Sequence, residues 1–229
     1  MRLETLGKKL YYTTRDAISS RETIEFDDVT VTFPSYFVEN FSWTIETERP
    51  VIEDLLASVR DGDSFYDIGA HAGLYSIAVG RAIQGEITAF EPYPPNVNRL
   101  NRYLRWNEVD IRIISHALSD SKTDTANLAG EVKTIDTKIG DVLVQEENIP
   151  KPDIVKIDVE GAELSVIRGI EENLPHCRLV YCEVHPDLLA ERNVAPETIS
   201  ETLEGNGFTT EVIAEREQAN VQPILRAEK

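Results

Sequence analysis

The sequence predicts an α/β protein built on a mostly parallel sheet with helices on both faces, and three observations carry that prediction. Short apolar runs alternate with segments of helical spacing from residue 49 onward. One run, Ser64-Phe65-Tyr66-Asp67-Ile68, feeds a turn, Gly69-Ala70-His71-Ala72-Gly73, and then a helix spaced through Leu74, Ile77, Ala78 and Ala82. A second strand over 86–90 ends at an acid, Glu91, 24 residues after Asp67. Such a βαβ unit presents backbone N–H groups at a helix start and a carboxylate at the next strand tip.

The remaining elements follow in order. Residues 1–20 suit either an amphipathic helix through Leu3, Leu6, Leu10 and Ala17 or a fraying arm. Residues 22–26 and 29–33 alternate apolar and polar around Asp27-Asp28, the mark of a β-hairpin. Residues 36–43 are aromatic-rich and irregular, and suit packing on the sheet edge or, second to that, a lid over the substrate. Val51, Ile52, Leu55, Leu56 and Val59 then place a helix over 49–59, which Asp61-Gly62 ends. Pro94-Pro95 opens the next helix, with Val97, Leu100 and Leu104 inward.

A third strand is expected over 111–115, running into 116–120. Residues 121–150 are the least patterned, with short edge strands at 123–128 and 132–135 and a short helix or turn at 139–144. The strand over 153–158 passes through Val159-Glu160-Gly161 into a helix whose face is Leu164, Ile167, Ile170 and Leu174. A fifth strand over 178–184 ends at His185-Pro186, and Pro196 opens a helix through Ile199 and Leu203 to Gly205-Asn206-Gly207. Residues 208–213 and 222–226 close the sheet as a pair. The organisation expected is an extension over 1–48, hairpin and aromatic segment, packed on a core over 49–229. No repeat, linker or second domain interrupts it.

Composition bounds the partners. A chain of 229 residues is long enough for a full core without staples. Its formal charge of −18, from 41 acidic and 23 basic residues, argues against a nucleic-acid backbone as partner. Arg outnumbers Lys, and an acid-rich, Lys-poor surface suits concentrated salt, where screening relieves self-repulsion, so the protein reads as halophilic. Cys177 and Cys182, five apart, would face opposite sides of one strand and not bridge. They read as buried thiols in a reducing compartment. The first residues lack an apolar signal segment and no run approaches membrane-spanning length, so the expected location is cytoplasmic.

In a sheet of this kind ligands bind beyond the carboxyl ends of the strands. Those ends gather Asp67, Glu91, residues 117–120, Asp158 with Glu160, and Glu183 with His185 into one acidic crevice. A nicotinamide cofactor wants Gly-x-Gly-x-x-Gly, so that its pyrophosphate can approach the backbone. Here His71 interrupts the glycines and Asp67 would repel a pyrophosphate, whereas the ammonium of S-adenosyl-L-methionine is welcome beside a carboxylate. Each acid also has a plainer reading: Asp158 or Glu160 as a helix cap boxed with Glu163, and His185 as a helix-start residue. Lys156 reads as a paired or snorkelling lysine.

With those residues in view, the sequence resembles the FkbM family of S-adenosylmethionine-dependent methyltransferases. The resemblance rests on residues 67–76, on Phe90-Glu91-Pro92, on Ala117-Leu118-Ser119-Asp120, on residues 156–163 and on Glu183-Val184-His185. It covers roughly residues 50–190, and the family usually has Asn where this chain has His71. The resemblance implies the class I methyltransferase (Rossmann-like) fold, seven strands with the last antiparallel. It implies that Asp67 and the backbone of Gly69, Ala70, His71 and Gly73 hold the methionine end, that Glu91 holds the ribose hydroxyls, and that Leu118 and Asp120 flank the adenine. Asp158 would lie near the sulfonium.

The function expected is O-methylation of a hydroxyl on a sugar, glycan or small metabolite. Asp158, Glu160 and His185 are the candidate bases for the acceptor hydroxyl. No residue is assigned to a metal, although the collected carboxylates admit a divalent ion as a variant. Two other classes share the features: a nicotinamide-dependent oxidoreductase, and a methyltransferase-like module that binds without turnover.

Overall fold

A computed structural model describes residues 19–128, 131–217 and 221–229. The helix or arm expected over 1–20 lies outside the described residues up to position 18. The chain opens with a hairpin, β1 (Arg21–Phe26) and β2 (Val29–Pro34), in antiparallel register Arg21↔Pro34 to Phe26↔Val29. Its turn places Asp27 at φ 47, a left-handed conformation that Asp tolerates. One face of the hairpin buries Ile24, Phe26, Val31 and Phe33, as the alternation predicts.

The first departure from expectation follows at once. Residues 36–43 are not irregular: they begin a 24-residue helix, α1 (Ser35–Ser58), which runs on through the segment expected as a separate helix. Pro50 lies inside it. Proline there removes one N–H from the helical ladder, but Pro50 faces solvent, so the unused carbonyl one turn back can be hydrated. On the inner face Phe37, Ile45, Val51, Ile52 and Leu55 are all buried. That burial holds the two halves in one rod, which passes straight through position 48.

The central sheet has the order β11-β12-β10-β9-β3-β4-β5. Its strands are β3 (Ser64–Ile68), β4 (Glu86–Phe90), β5 (Arg112–Ile114), β9 (Ile154–Ile157), β10 (Leu179–Glu183), β11 (Thr209–Glu217) and β12 (Val221–Glu228). β10, β9, β3, β4 and β5 pair in parallel, while β12 is antiparallel to both β10 and β11. The sheet is therefore seven-stranded with the last strand reversed, as the resemblance implied. The connecting helices are α2 (Leu74–Ala82), α3 (Pro94–Trp106), α5 (Glu163–Gly169), α6 (Pro186–Glu191) and α7 (Glu197–Gly205).

Strand parity divides the core in two. Phe65, Ile154 and Tyr181 face a cluster shared with the hairpin, α1, α2 and α3. Tyr66, Ile68, Val155, Ile157, Val180 and Cys182 face the other, shared with α5 and α7. Each central strand thus buries both faces, which is why these strands read as continuous apolar runs. The segment after β5 forms a small second sheet, β6-β8-β7, from β6 (Ala117–Ser119), β7 (Thr123–Leu128) and β8 (Glu131–Ile139), followed by α4 (Gly140–Glu146). Both cysteines are buried and free; Cys177 precedes β10 and only Cys182 lies on it.

Candidate active site

The site is built at the carboxyl ends of β3, β4, β9 and β10. At the first of these the chain turns with Gly69 at φ 86 and Gly73 at φ 88. A Cβ on Gly69 would collide with the carbonyl of Asp158, so the turn can lie this close to β9 only without a side chain. His71, between the glycines, sits at φ 49. That left-handed conformation is one that Asn, Asp and His tolerate best among residues with a side chain, so His is acceptable there. Its side chain is exposed, and its ring meets Phe41 of α1 at 5.9 Å. Phe41 continues a stack through Phe37 to Phe33 (4.7 and 4.9 Å), so the hairpin and α1 bring an aromatic file up to the glycine turn.

Glu91 follows β4 and is 5 % exposed. Its carboxylate accepts the N–H of His71 at 2.8 Å and the N–H of Tyr93 at 2.7 Å, clasping the glycine turn to the next strand. Burial raises its pKa to about 7, against the opposing pull of those two backbone donors. Each oxygen retains lone-pair capacity, so Glu91 can still receive a diol.

Asp67 is deeper than the sequence suggested. It is 1 % exposed, and its Oδ2 accepts the N–H and the hydroxyl of Ser76 at 3.0 and 2.5 Å, tying β3 to the first turn of α2. Its Oδ1 is buried with no hydrogen-bond partner among the described residues and faces Lys156 Nζ at 3.9 Å. The parallel register Asp67↔Lys156 makes them cross-strand neighbours. Asp67 thus ties β3 to α2 beneath the glycine turn. Leu118 lies in the second core cluster, and Asp120 is exposed just beyond β6.

The ends of β9 and β10 hold the densest group of charges. Lys156 Nζ donates to Asp158 Oδ2 at 3.1 Å and lies over the ring of Tyr75 at 4.7 Å. It is a paired lysine, as read from the strand pattern. Burial disfavours its charge, yet Asp158 and Asp67 more than offset that and raise its pKa. Asp158 is pulled the same two ways: burial opposes its charge, and Lys156 with His185 overcome the penalty and lower its pKa. His185, at the start of α6, directs Nδ1 at Glu163 Oε1 (2.6 Å) and Nε2 toward Glu183 Oε1 (3.7 Å) and Asp158 Oδ1 (3.9 Å). Burial lowers the pKa of this imidazole, but its hydrogen bond to Glu163 and the charge of Asp158 prevail and raise it to about 9. Glu183 is pushed up, by burial first and by Asp158 next.

The structure therefore brings Asp158 and His185 together and leaves Glu160 outside that group, exposed at the apex of the turn with φ 48. Two residues that the sequence offered only as a box partner and a strand end, Glu163 and Glu183, complete the cluster. Glu163 stands 22 residues before its histidine, and no periodicity could have signalled the pair. Asp158, Glu183 and His185 place one ligand atom each within 4.8 Å of the others, a spacing that a divalent ion could bridge. Lys156 already delivers a positive charge to one of those three.

A glycine turn after the first central strand, an acid after the second, and a sheet of six parallel strands with one reversed define a class I methyltransferase fold. Solved structures agree on the fold. A precorrin-6y C5,15-methyltransferase of Geobacter metallireducens superposes with a TM-score of 0.53 at 19% identity, covering 79% of this chain and 88% of that one. Magnesium protoporphyrin IX methyltransferase of Synechocystis, solved with bound S-adenosylmethionine, superposes at 0.56 with 13% identity, covering 84% of each chain. The methyltransferase FkbM domain model matches residues 67–210, and the chain belongs to that family of S-adenosylmethionine-dependent methyltransferases. Among its relatives, the hexuronic acid methyltransferase AglP of Haloferax volcanii is 29% identical over 178 residues, 72% of this chain and 71% of that protein. The methyltransferase sdnD of Sordaria araneosa is 27% identical, over 67% of this chain and 76% of its own length.

Proposed function

We propose that the protein transfers a methyl group from S-adenosylmethionine to a hydroxyl oxygen of a sugar, with an acid-bearing sugar of a glycan as the favoured acceptor. The observation that carries this reading is His185, held at Nδ1 by Glu163 with Nε2 turned toward Asp158 and Glu183 at the carboxyl ends of β9 and β10. A sugar hydroxyl needs a proton acceptor as it becomes a nucleophile, and an imidazole so placed is one. The similarity to a hexuronic acid methyltransferase supports the sugar.

The residues fit the cofactor. Gly69 lets the turn after β3 pack directly on β9, and the backbone of that turn would hold the methionine end. Glu91 takes the ribose hydroxyls, and residues at the end of β6, Leu118 and Asp120, border the adenine. Bound there, S-adenosylmethionine supplies a methyl carbon already activated by its sulfonium. The acceptor oxygen forms the new C–O bond as the C–S bond breaks, sulfur keeps that electron pair, and the hydroxyl proton passes to His185 Nε2. Asp158 orients the acceptor, while Lys156 keeps that carboxylate ionised. Phe41 and His71, with ring planes tilted by 57°, offer aromatic faces against which a sugar ring packs, which gives the hairpin and α1 a part in acceptor choice. A divalent ion on Asp158, Glu183 and His185 is the competing way to acidify the hydroxyl.

The surroundings follow from charge. At −18 the protein is read as salt-adapted and as having no nucleic-acid partner. Among the described residues no helix is long and apolar enough to cross a membrane. The test is incubation with methyl-labelled S-adenosylmethionine, in molar salt, against uronic acid oligosaccharides, their carboxyl-reduced counterparts and a nucleic acid. Oxygen-linked label on the acidic sugar is expected. Label on nitrogen or on nucleic acid, or none on any sugar, would sink the proposal; loss to chelator with recovery on added Mg2+ would select the metal route.

A further inference from the structure

We propose that Glu163 is a positioning residue for the transfer, fixing the tautomer of His185 so that the proton sits on Nδ1 and the lone pair on Nε2 faces the acceptor. The proposal rests on the methyl-transfer reading above. Glu163 begins α5 and has no exposed surface. Its Oε1 takes the N–H of Gly161 at 3.0 Å and faces His185 Nδ1 at 2.6 Å, while Oε2 is buried with no hydrogen-bond partner among the described residues.

Helix capping explains only the first of those contacts. An acid in the first turn of a helix is normally at the surface, where both oxygens are hydrated. Enclosing a carboxylate completely, with one oxygen idle, is unfavourable unless a cation or strong donor faces it. The donor facing it here is the imidazole. Neutral histidine has a single N–H, and the nitrogen that meets the stronger acceptor carries it. Glu163 is that acceptor at Nδ1, within bonding distance, whereas Asp158 and Glu183 stand at 3.9 and 3.7 Å from Nε2. The other charged groups around the ring are Lys156 at the end of β9, which is committed to Asp158, and Glu160 on the exposed turn.

The two partners are clamped by one packing contact. Gly161 has φ 94, and a Cβ there would meet Leu188 Cβ at 2.7 Å and the Leu188 backbone at 3.2 Å. The turn that aims Gly161 N–H at Glu163 therefore lies directly on α6, the helix that His185 introduces. Pro186 restricts the backbone of His185 on the other side. Donor, carboxylate and imidazole are held as one unit, which is what a base needs to keep its geometry through turnover.

The experiment is nitrogen NMR of histidine-labelled protein, in which four imidazoles report and His185→Ala assigns the relevant one. In the wild type the neutral form of His185 should carry its proton on Nδ1. In Glu163→Gln its pKa should fall by at least one unit and the Nε2–H form should appear. Turnover should drop at least tenfold, with the KM for S-adenosylmethionine unchanged. A wild-type His185 protonated at Nε2, or a Glu163→Gln spectrum and turnover like wild type, would overturn the assignment. The wild-type tautomer decides the matter if the variant does not fold. Failure of the wild type to methylate any hydroxyl, with the Nδ1–H tautomer present, would instead condemn the reaction proposed and leave the Glu163–His185 pair standing.

Discussion

Replacing Glu91 with Gln should move stability and cofactor affinity in opposite directions, and by amounts that depend on pH. Glu91 is buried, and burial raises its pKa from 4.5 to about 7. A carboxyl whose folded pKa lies above its unfolded value binds more protons in the folded state across that window. Stability therefore falls as pH rises from about 4.5 to 7, by roughly 3 kcal/mol at 1.36 kcal/mol per pKa unit. Glu91→Gln cannot ionise and escapes that loss. Its cost is one backbone donor, His71 or Tyr93, left facing an amide NH2 group, about 1–3 kcal/mol at every pH. The melting temperature of the variant minus that of wild type should therefore rise between pH 5 and pH 8. The change should be about 6–12 °C, taking 2–4 °C per kcal/mol for a chain of this size. Affinity for S-adenosylhomocysteine should behave conversely. At pH 8 the variant lacks a charged acceptor for the ribose hydroxyls and should bind about 1–3 kcal/mol more weakly, while near pH 5 the two proteins should converge. Melts and calorimetric titrations over that range test both. Parallel melting curves would refute the burial argument, and equal affinities at pH 8 would refute the ribose assignment.

Four further outcomes are expected. Because His185 must be neutral to accept a proton and its pKa is held near 9, kcat/KM should rise about tenfold per pH unit below that value and level off above it. His185→Ala should lose on the order of a hundredfold in turnover and keep wild-type affinity for S-adenosylhomocysteine; a flat pH profile with full turnover would place the base elsewhere. Melting temperature should increase from low to molar KCl as the −18 charge is screened, and a flat or falling curve would remove the salt-adaptation reading. Phe41→Ala should raise the KM for the sugar acceptor several-fold with the KM for S-adenosylmethionine unchanged, measured by initial rates; equal acceptor constants would take α1 out of acceptor binding.

The sequence by itself determined the parts whose signal is local. Alternation in 22–33 specified the hairpin, and the apolar runs at 64–68, 86–90, 154–157 and 179–183 specified strands buried on both faces. Glycines at 69 and 73 marked the turn after β3, and Glu91 marked the end of β4, because backbone conformation and strand-tip placement follow from neighbours in the chain. Lys156 was legible as a paired residue, since strand parity sets it beside Asp158. What the tertiary structure decided depends on groups distant in sequence. Residues 36–43 read as irregular and 49–59 as a separate helix, and only burial of Phe37, Ile45 and Ile52 against the sheet and hairpin makes α1 continuous. Asp67 is enclosed by Ser76 and Lys156 from two other elements, which no neighbour in the chain signals. Glu160 and Glu163 looked alike as helix-start acids. The turn at Gly161 sends one into solvent and the other onto His185, a choice made by the packing of Leu188 and not by either side chain.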